Sequence, residues 1–425
     1  MPTAPSPARR TGSQRETEMA PQPTAFSAGG AIARESRDAE AAANANPITA
    51  TDLAVIDTLD GMRALADDWR RLEDEGAAGF NFFQSFEWNM RWTERFIPAA
   101  KSQTVAILTG RQRGRLVMLW PMMIEQHGPV RMLKWLGDPF PQYGGALIAR
   151  DVDRAFWLDR AWRHMTALAG IDAIALRRVR ADDPANDCLT QGSTRKVGLG
   201  VSCFIEIGGY ENHDELMQAL PSRRRQLRRK LRRKLEAAGK LEYRTAFGGP
   251  EFESIIRETM RVKRRWLRDA GQVSKAISDP RLDELLLSFA GEGLGTGCVG
   301  AGVLTCDGQP AAYEIALHYR NHHYLYIIAQ DPKFVSLSPS KVQVDEAQAW
   351  DIANGLEVFD LLPPADRYKL DLSDQTVAIF DYLKPLSFIG MLYVAYLVRA
   401  RPALKALYLK YGAPIAGGLF GRRRQ

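Results

Sequence analysis

The sequence predicts a mixed α/β fold, with mixed sheets and two domains of similar plan in tandem. Three observations predict it. Strand-like and helix-like stretches alternate along residues 51–385. Their order in 51–200 returns in 201–385, although no sequence repeat accompanies it. And 425 residues, 45% apolar and 25% charged, suffice to bury one large core or two medium ones. The expected domains are a tail over 1–50, two domains over 51–200 and 201–385, and a helical extension over 386–425.

The tail is rich in Ala, Pro, Ser and Thr, has Phe26 as its only aromatic residue and carries no apolar block of signal-peptide type, so disorder is expected. DLAVIDTL (52–59) then reads as a strand. GMRALADDWRRLEDEG (61–76) reads as a helix with Met62, Leu65, Trp69 and Leu72 on one face. In SFEWNMRWTERF (85–96), Ser85 is placed to cap a helix whose Phe86, Trp88 and Trp92 point to a core. QTVAILTG and RLVMLWPMMI flank RQRG as a hairpin. Strands at 130–136 and 171–177, with a Trp-rich helix near 153–168 between them, complete the first domain.

The second domain opens with CFIEIGGY (203–210) as a strand and a short helix from Asp214. A basic helix follows, capped by Ser222 and stopped at Gly239. LEYRTAF is a strand and EFESIIRETMRVKRRWL a long helix. Asp307-Gly308 marks a hairpin between GCVGAGVLTC and PAAYEIALHYR. HHYLYIIAQ (322–330), a helix over 340–353 and LEVFDLL (356–362) close the pattern. LSFIGMLYVAYLV (386–398) is too short to span a bilayer and reads as a packed helix or an interfacial one.

Composition narrows the function. The net charge is +7, and SRRRQLRRKLRRKL (222–235) holds nine cations and no acid, so the rest of the chain carries 7 − 9 = −2. The basicity is local, and any electrostatic function belongs there. Cys188, Cys203, Cys298 and Cys306 form no CxxC pair and read as reduced structural residues. There is no HExxH, and neighbouring His322 and His323 point to opposite faces of a strand, so no metal site is expected.

Six stretches in order carry a resemblance. They are FQSFEWNMRW (Phe83–Trp92), the basic run Arg224–Gly239, Lys263 to Trp266, AYEIALHYRNHHYLYIIAQDP, SPSKV (Ser338–Val342) and FDLLPPADRYKL (Phe359–Leu370). Over residues 51–385 the chain resembles the GNAT superfamily of acyl-CoA-dependent acyltransferases. More narrowly, it is similar to CelD-type cellulose-biosynthesis acetyltransferases, relatives of the FemAB peptidyltransferases with tandem GNAT-like domains. The resemblance implies acetyl-CoA or another acyl-CoA as co-substrate and no metal. Strands near 311–330 should spread apart, with the backbone of Ile327, Ile328 and Ala329 holding the thioester arm. The tip of the helix at Ser338, Ser340, Lys341 and Val342, with Arg225 and Arg228, should meet the phosphates. Ser340 departs from the glycine that relatives keep there to let a pyrophosphate approach. Ser338 can still cap and Pro339 suits the first helical position.

Candidates for proton transfer are Glu314, Asp331 and Asp366 with Tyr368 and Lys369, the last pair favoured for protonating a leaving thiolate or touching substrate. Each carboxylate reads also as an exposed strand-end or turn residue. Lys263 and Trp266, at i and i+3 of the long helix, with Tyr326, are the acceptor-pocket candidates. Lys263 and Trp266 read also as the snorkelling lysine and core tryptophan of an amphipathic helix. The basic helix has like-charge pairs at 224/228, 225/229, 228/232, 229/233 and 230/234. They oppose it by roughly 1–2.5 kcal/mol in all, so stability alone does not select it. With Leu227, Leu231 and Leu235 as anchors, its other faces suit CoA phosphates, an anionic acceptor, a membrane surface, a nucleic acid or plain solvent.

The expectation is an acyl-CoA-dependent N- or O-acyltransferase acting on an amino or hydroxyl group of a small molecule or of a glycan- or lipid-linked envelope or exopolysaccharide precursor. It would be cytoplasmic, with peripheral contact to the inner face of the membrane left open. The alternatives are a non-catalytic adaptor on membrane or nucleic acid, and a FemAB-like transferase using aminoacyl-tRNA.

Overall fold

A computed structural model describes residues 53–294, 297–401 and 403. The expected tail, and the extension beyond residue 401 apart from Ala403, lie outside the described residues.

The first half runs β1 (Leu53–Ile56), α1 (Leu59–Ala64), α2 (Ala66–Gly76), α3 (Phe86–Phe96), β2 (Gln103–Val105), β3 (Ile107–Gln112), β4 (Arg115–Trp120), β5 (Met122–His127), β6 (Val130–Trp135), β7 (Leu147–Ile148), α4 (Arg154–Thr166) and β8 (Ala173–Arg180). Ser85 caps α3 as expected, its hydroxyl accepting from the Trp88 amide at 3.3 Å. The expected hairpin is cut by Pro121, which cannot donate to a ladder. β4 therefore joins a small sheet of order β1-β3-β4-β7, while β5 leaves for the large one. Six fully buried tryptophans, Trp69, Trp88, Trp92, Trp120, Trp157 and Trp162, fill this half.

The second half runs β9 (Arg195–Glu206), the basic helix α5 (Ser222–Glu236), β10 (Leu241–Ala246), α6 (Gly249–Asp269), β11 (Cys298–Cys306), β12 (Gln309–Tyr319), β13 (His322–Gln330), α7 (Pro339–Ala353), β14 (Val358–Asp360), α8 (Arg367–Leu372), β15 (Gln375–Pro385) and α9 (Phe388–Ala395). Ser222 proves to be a first-turn residue of α5. Pro221 holds the cap position, and no side chain caps the helix.

One sheet of eleven strands spans both halves in the order β10-β11-β12-β13-β14-β9-β15-β8-β6-β5-β2. β15 pairs with β9 on one side and β8 on the other, joining the halves. Neighbours are antiparallel except β6/β8 and β13/β14. Each of these parallel pairs is joined through a helix and makes three residue pairs. The two halves thus repeat a strand–helix–strand crossover that their sequences do not advertise. In the second half α6 packs across β10–β13, and α7, backed by α5, also packs on these strands. Val342, Leu235, Leu304 and Ala312 form one small core there, and Ile205, Leu325, Val344, Ala347 and Phe359 belong to another.

Candidate functional site

The opening in the sheet lies beside β13. β12 and β13 pair from Ala312↔Gln330 to Tyr319↔His322, with Tyr326 as the one extra residue of a bulge. β14 pairs with β13 only at His322–Tyr324. From Leu325 to Gln330, β13 therefore has no strand on its β14 side. The expectation that strands 311–330 spread apart is corrected accordingly: that hairpin is closed, and the parting is between β13 and β14. Its cause is the early end of β14. Buried Asp360 accepts the Leu362 amide at 2.7 Å, and Leu362 turns the chain away with φ 56°.

Several candidates gather at this opening. Lys263 of α6 donates to the Ile328 carbonyl at 3.1 Å, with its ammonium 4.6 Å from the Trp266 ring centre. Its pKa is lowered by burial, against the pull of Asp366. Trp266 is 48% exposed, so its ring is available at the surface instead of being core. Lys369 of α8 is buried and donates to the Leu362 carbonyl at 2.7 Å. Burial pushes it down to about 8; Asp366 and Asp360 oppose the shift and Lys263 adds to it. Tyr368 is pushed up to about 12 by burial and by Asp366, so it stays protonated. Asp366 precedes the six-residue helix α8, which turns Lys369 inward and leaves Asp366 exposed.

Three other candidates are elsewhere or otherwise engaged. Tyr326 donates to the Phe140 carbonyl at 3.1 Å and packs against Phe83 and Trp88. Asp331 accepts from the Lys333 amide at 2.8 Å in the turn after β13. Glu314 is fully buried and accepts from the Tyr243 hydroxyl. Ile327 and Ala329 are buried strand residues, and half-buried Ile328 supplies the carbonyl already described.

At the far end of β13 the tip of α7 meets the basic helix. Ser338 sits in the left-handed region at φ 56° and its side chain caps nothing, contrary to expectation. Pro339 does take the start of the helix. The Lys341 amide donates to the Ser338 carbonyl at 3.2 Å, and the Ser340 hydroxyl to Gln330 Oε1 at 3.1 Å. Val342 is core. A small cleft here is lined by Arg224, Leu227, Arg228, Lys341, Tyr368 and Asp371 among others, so it adjoins the Lys369 helix.

The arginines of α5 divide into two groups. Arg228, expected to face an anion, is 5% exposed and pairs with Asp345 at 2.9 Å. It also donates to Gln348 Oε1 at 3.1 Å and to the Leu372 carbonyl at 3.0 Å. Burial pushes Asp345 up to about 6, against the pull of Arg228. Arg225, the other expected phosphate ligand, donates to the carbonyls of Gln218 (2.7 Å) and Leu220 (3.4 Å). Arg224 donates to Ser373 and Leu370 carbonyls, Arg232 to Glu236 and Glu346, and Lys234 to the Ser336 carbonyl. Neighbouring acceptors thus offset the self-repulsion of the helix. Arg223, Arg229, Lys230 and Arg233 stay exposed with no carboxylate partner among the described residues.

Two buried clusters escaped the sequence. Tyr143 of the first half donates to Asp360 (2.8 and 2.9 Å), with Ser202 Oγ at 2.7 Å and Arg180 3.7 Å from Asp360. This network fixes the end of β14, and so the opening. The second cluster lies between β12, β13 and α7. His318 faces His323 across the hairpin, and the His323 Nδ1 lies 3.0 Å from Asp351. His318, His323 and Asp351 bring donor atoms within 4.8 Å of one another, the donor set of a metal site that no sequence spacing announced. Here Asp351 also acts as the ion-pair partner of His323, raising its pKa against burial. The signal was the hairpin at Arg320-Asn321, which makes positions 318 and 323 direct partners.

Residues 221–370 match the family model described as "Acetyltransferase (GNAT) domain". No curated protein matches the chain. Among solved structures, the chain is similar to the C-terminal domain (DUF2156) of an Agrobacterium fabrum protein described as a lysylphosphatidylglycerol synthetase. The identity is 10%, the coverage 79% of this chain and 96% of that one, and the TM-score 0.50. It is also similar to FemX (11% identity, 68% and 90% coverage, TM-score 0.48) and to a tandem GNAT protein from the clavulanic acid biosynthesis pathway (11%, 79% and 99%, TM-score 0.43). The expected mixed α/β class is the one found, with the GNAT domain match confined to residues 221–370.

Proposed function

We propose that the chain is an acyltransferase of GNAT type whose donor, an acyl-CoA, lies along the unpaired stretch of β13 in the second half. One observation carries this reading. The matched segment, 221–370, contains an open strand edge with Lys263 and Lys369 beside it and a cationic cleft at the adjoining helix tip. An extended pantetheine arm is an amide chain that can be read by an unpaired strand edge, and its phosphates suit Lys341, Arg224 and the first-turn amide of Ser340.

In the proposed reaction the lone pair of an acceptor amine or hydroxyl attacks the thioester carbon. The C–S bond breaks, the acceptor loses its proton, and the thiolate takes one. Lys369, held near pKa 8, is protonated in the main at neutral pH and close enough to a thiol's pKa to be that proton donor. Tyr368, at about 12, is the weaker acid and is assigned to substrate contact. The acceptor is placed beside Lys263 and exposed Trp266. An amino or hydroxyl group on a glycan- or lipid-linked envelope precursor fits a site open to one side. This part rests on the CelD-type resemblance of the motifs.

A second reading has aminoacyl-tRNA as donor. It is favoured by the four outward cations Arg223, Arg229, Lys230 and Arg233, which suit a polyanion better than one CoA. Titration calorimetry with acetyl-CoA, followed by thiol release with amine and hydroxyl acceptors, separates the two. Binding weakened by Lys341→Gln supports the acyl-CoA reading. Indifference to acetyl-CoA with tight, salt-sensitive tRNA binding refutes it.

A further inference from the structure

We propose that the outer face of α9, with exposed Arg399 and Arg401 just after it, docks this protein peripherally on an anionic lipid surface. The inference stands apart from the acyltransferase reading, because α9 packs on β6, β8 and β15, in the part of the large sheet away from the β10 edge.

The inner face of α9 is fixed. Gly390 lies so close to the Asp172 carbonyl that a Cβ there would meet its oxygen at 1.8 Å. Val394 is buried, and Ile389, Tyr393 and Leu397 pack with it against Val130, Met132 and Leu383. The outer face is a second apolar stripe. Phe388 is 72% exposed, Met391 49%, Leu392 55% and Tyr396 43%, at helical spacing i, i+3, i+4, i+8. Eleven large apolar side chains are exposed among the described residues, and four of them fall within these nine positions. The others are scattered along the chain and need no explanation; this patch does.

Charge selects the occupant. From residue 386 to 425 the sequence carries Arg399, Arg401, Lys405, Lys410, Arg422, Arg423 and Arg424 and no acid at all. A second copy docking on the same patch would bring two like-charged segments together. An anionic bilayer instead offers hydrocarbon for the phenyl and thioether groups and phosphates for the cations. No helix among the described residues is long and apolar enough to cross a membrane, so the contact lies in the interfacial plane.

The test is co-sedimentation of the full chain with vesicles of phosphatidylcholine, with and without phosphatidylglycerol. Partition onto the anionic vesicles is expected, weakened roughly tenfold or more by their neutral counterparts or by high salt. The triple variant Phe388→Ser, Met391→Ser, Leu392→Ser should lose most of it while keeping the wild-type melting temperature. Should that variant melt early, Phe388→Trp serves instead: at a largely exposed position, its emission should move to shorter wavelength with anionic vesicles only. Absence of partition, undiminished binding by the triple variant, or a wild-type dimer that the triple variant converts to a monomer without any lipid uptake would each overturn the proposal.

Discussion

Arg228→Met decides whether the centre of the basic helix is structural or ligand-binding. The side chain is 5% exposed, Asp345 beside it is equally enclosed, and the guanidinium also holds Gln348 and the Leu372 carbonyl. Methionine keeps much of the volume but strands a buried carboxylate and two acceptors. Breaking a buried pair from one side costs about 3–5 kcal/mol. At about 2.1 cal/mol/K per residue over roughly 350 folded residues, the unfolding entropy is about 0.7 kcal/mol/K, so melting should fall by about 4–7 °C. Since Asp345 already stands near pKa 6 with the arginine present, the variant should lose least at acid pH, where that carboxyl is neutral. Replacing both partners, Arg228→Met with Asp345→Leu, should restore most of the loss. Scanning calorimetry reads all three, with acetyl-CoA titrations alongside. If Arg228→Met melts like the wild type and loses donor affinity instead, the arginine is a free ligand and the packing argument fails.

The other predictions concern chemistry and pH. Lys369→Met should lower kcat by about 10²–10⁴. It should also abolish the loss of activity that the wild type shows as pH rises through about 8, the pKa that burial gives this ammonium; a pH–rate profile reads both. Lys341→Gln combined with Arg224→Gln should weaken acetyl-CoA by about tenfold and flatten its salt dependence, measured by titration at two ionic strengths. Glu314 stands at about 7 in the folded protein because it is buried, above its ordinary 4.5. The native state therefore holds a proton that the unfolded chain releases, and stability is lost as pH rises from about 4.5 to 7. The loss is at most about 3 kcal/mol at 1.36 kcal/mol per unit. Glu314→Gln should flatten that part of the melting-temperature curve; an unchanged slope would put the proton elsewhere in the histidine cluster.

Periodicity made most elements of the fold legible, because it reports which face of a helix or strand is buried. Ser85 at the start of α3 and Asp307-Gly308 between β11 and β12 announced themselves by side-chain chemistry that acts within three or four residues. What stayed hidden depends on distant partners. β15 joins two halves through β8 and β9, and nothing within Gln375–Pro385 names those partners. Arg228 and Arg229 are chemically the same in sequence. Only the turn of the helix toward Asp345 makes one of them structural. The Lys263 and Lys369 candidates came together because α6 packs on β13 while α8 turns Lys369 inward to the Leu362 carbonyl, just past the end of β14. Glu314 and Tyr326 were drawn elsewhere because alternate residues of a strand face opposite layers, and a bulge at Tyr326 shifts that alternation.

The two halves share the parallel-pair crossover, so the choice of the second as donor site needs a physical reason beyond the extent of the family match. The helix tips supply one. In the first half α4 begins at Asp153, whose carboxylate accepts the Phe156 amide at 3.0 Å. An anion approaching there meets a negative charge already satisfying the helix. In the second half α7 begins at Ser338 with no side-chain cap, with Lys341 in its first turn and Arg224 across the cleft. The same element thus ends in a closed anion site in one half and an open one in the other. Exchanging the chemistry tests the point: Ser338→Asp should add a competing carboxylate and weaken a phosphate-bearing donor by about tenfold, whereas Asp153→Ser should leave donor affinity unchanged and cost at most about 0.5 kcal/mol of stability. If instead the Asp153 variant binds the donor more tightly, the first half takes part in donor binding and the assignment of roles to the two copies is wrong.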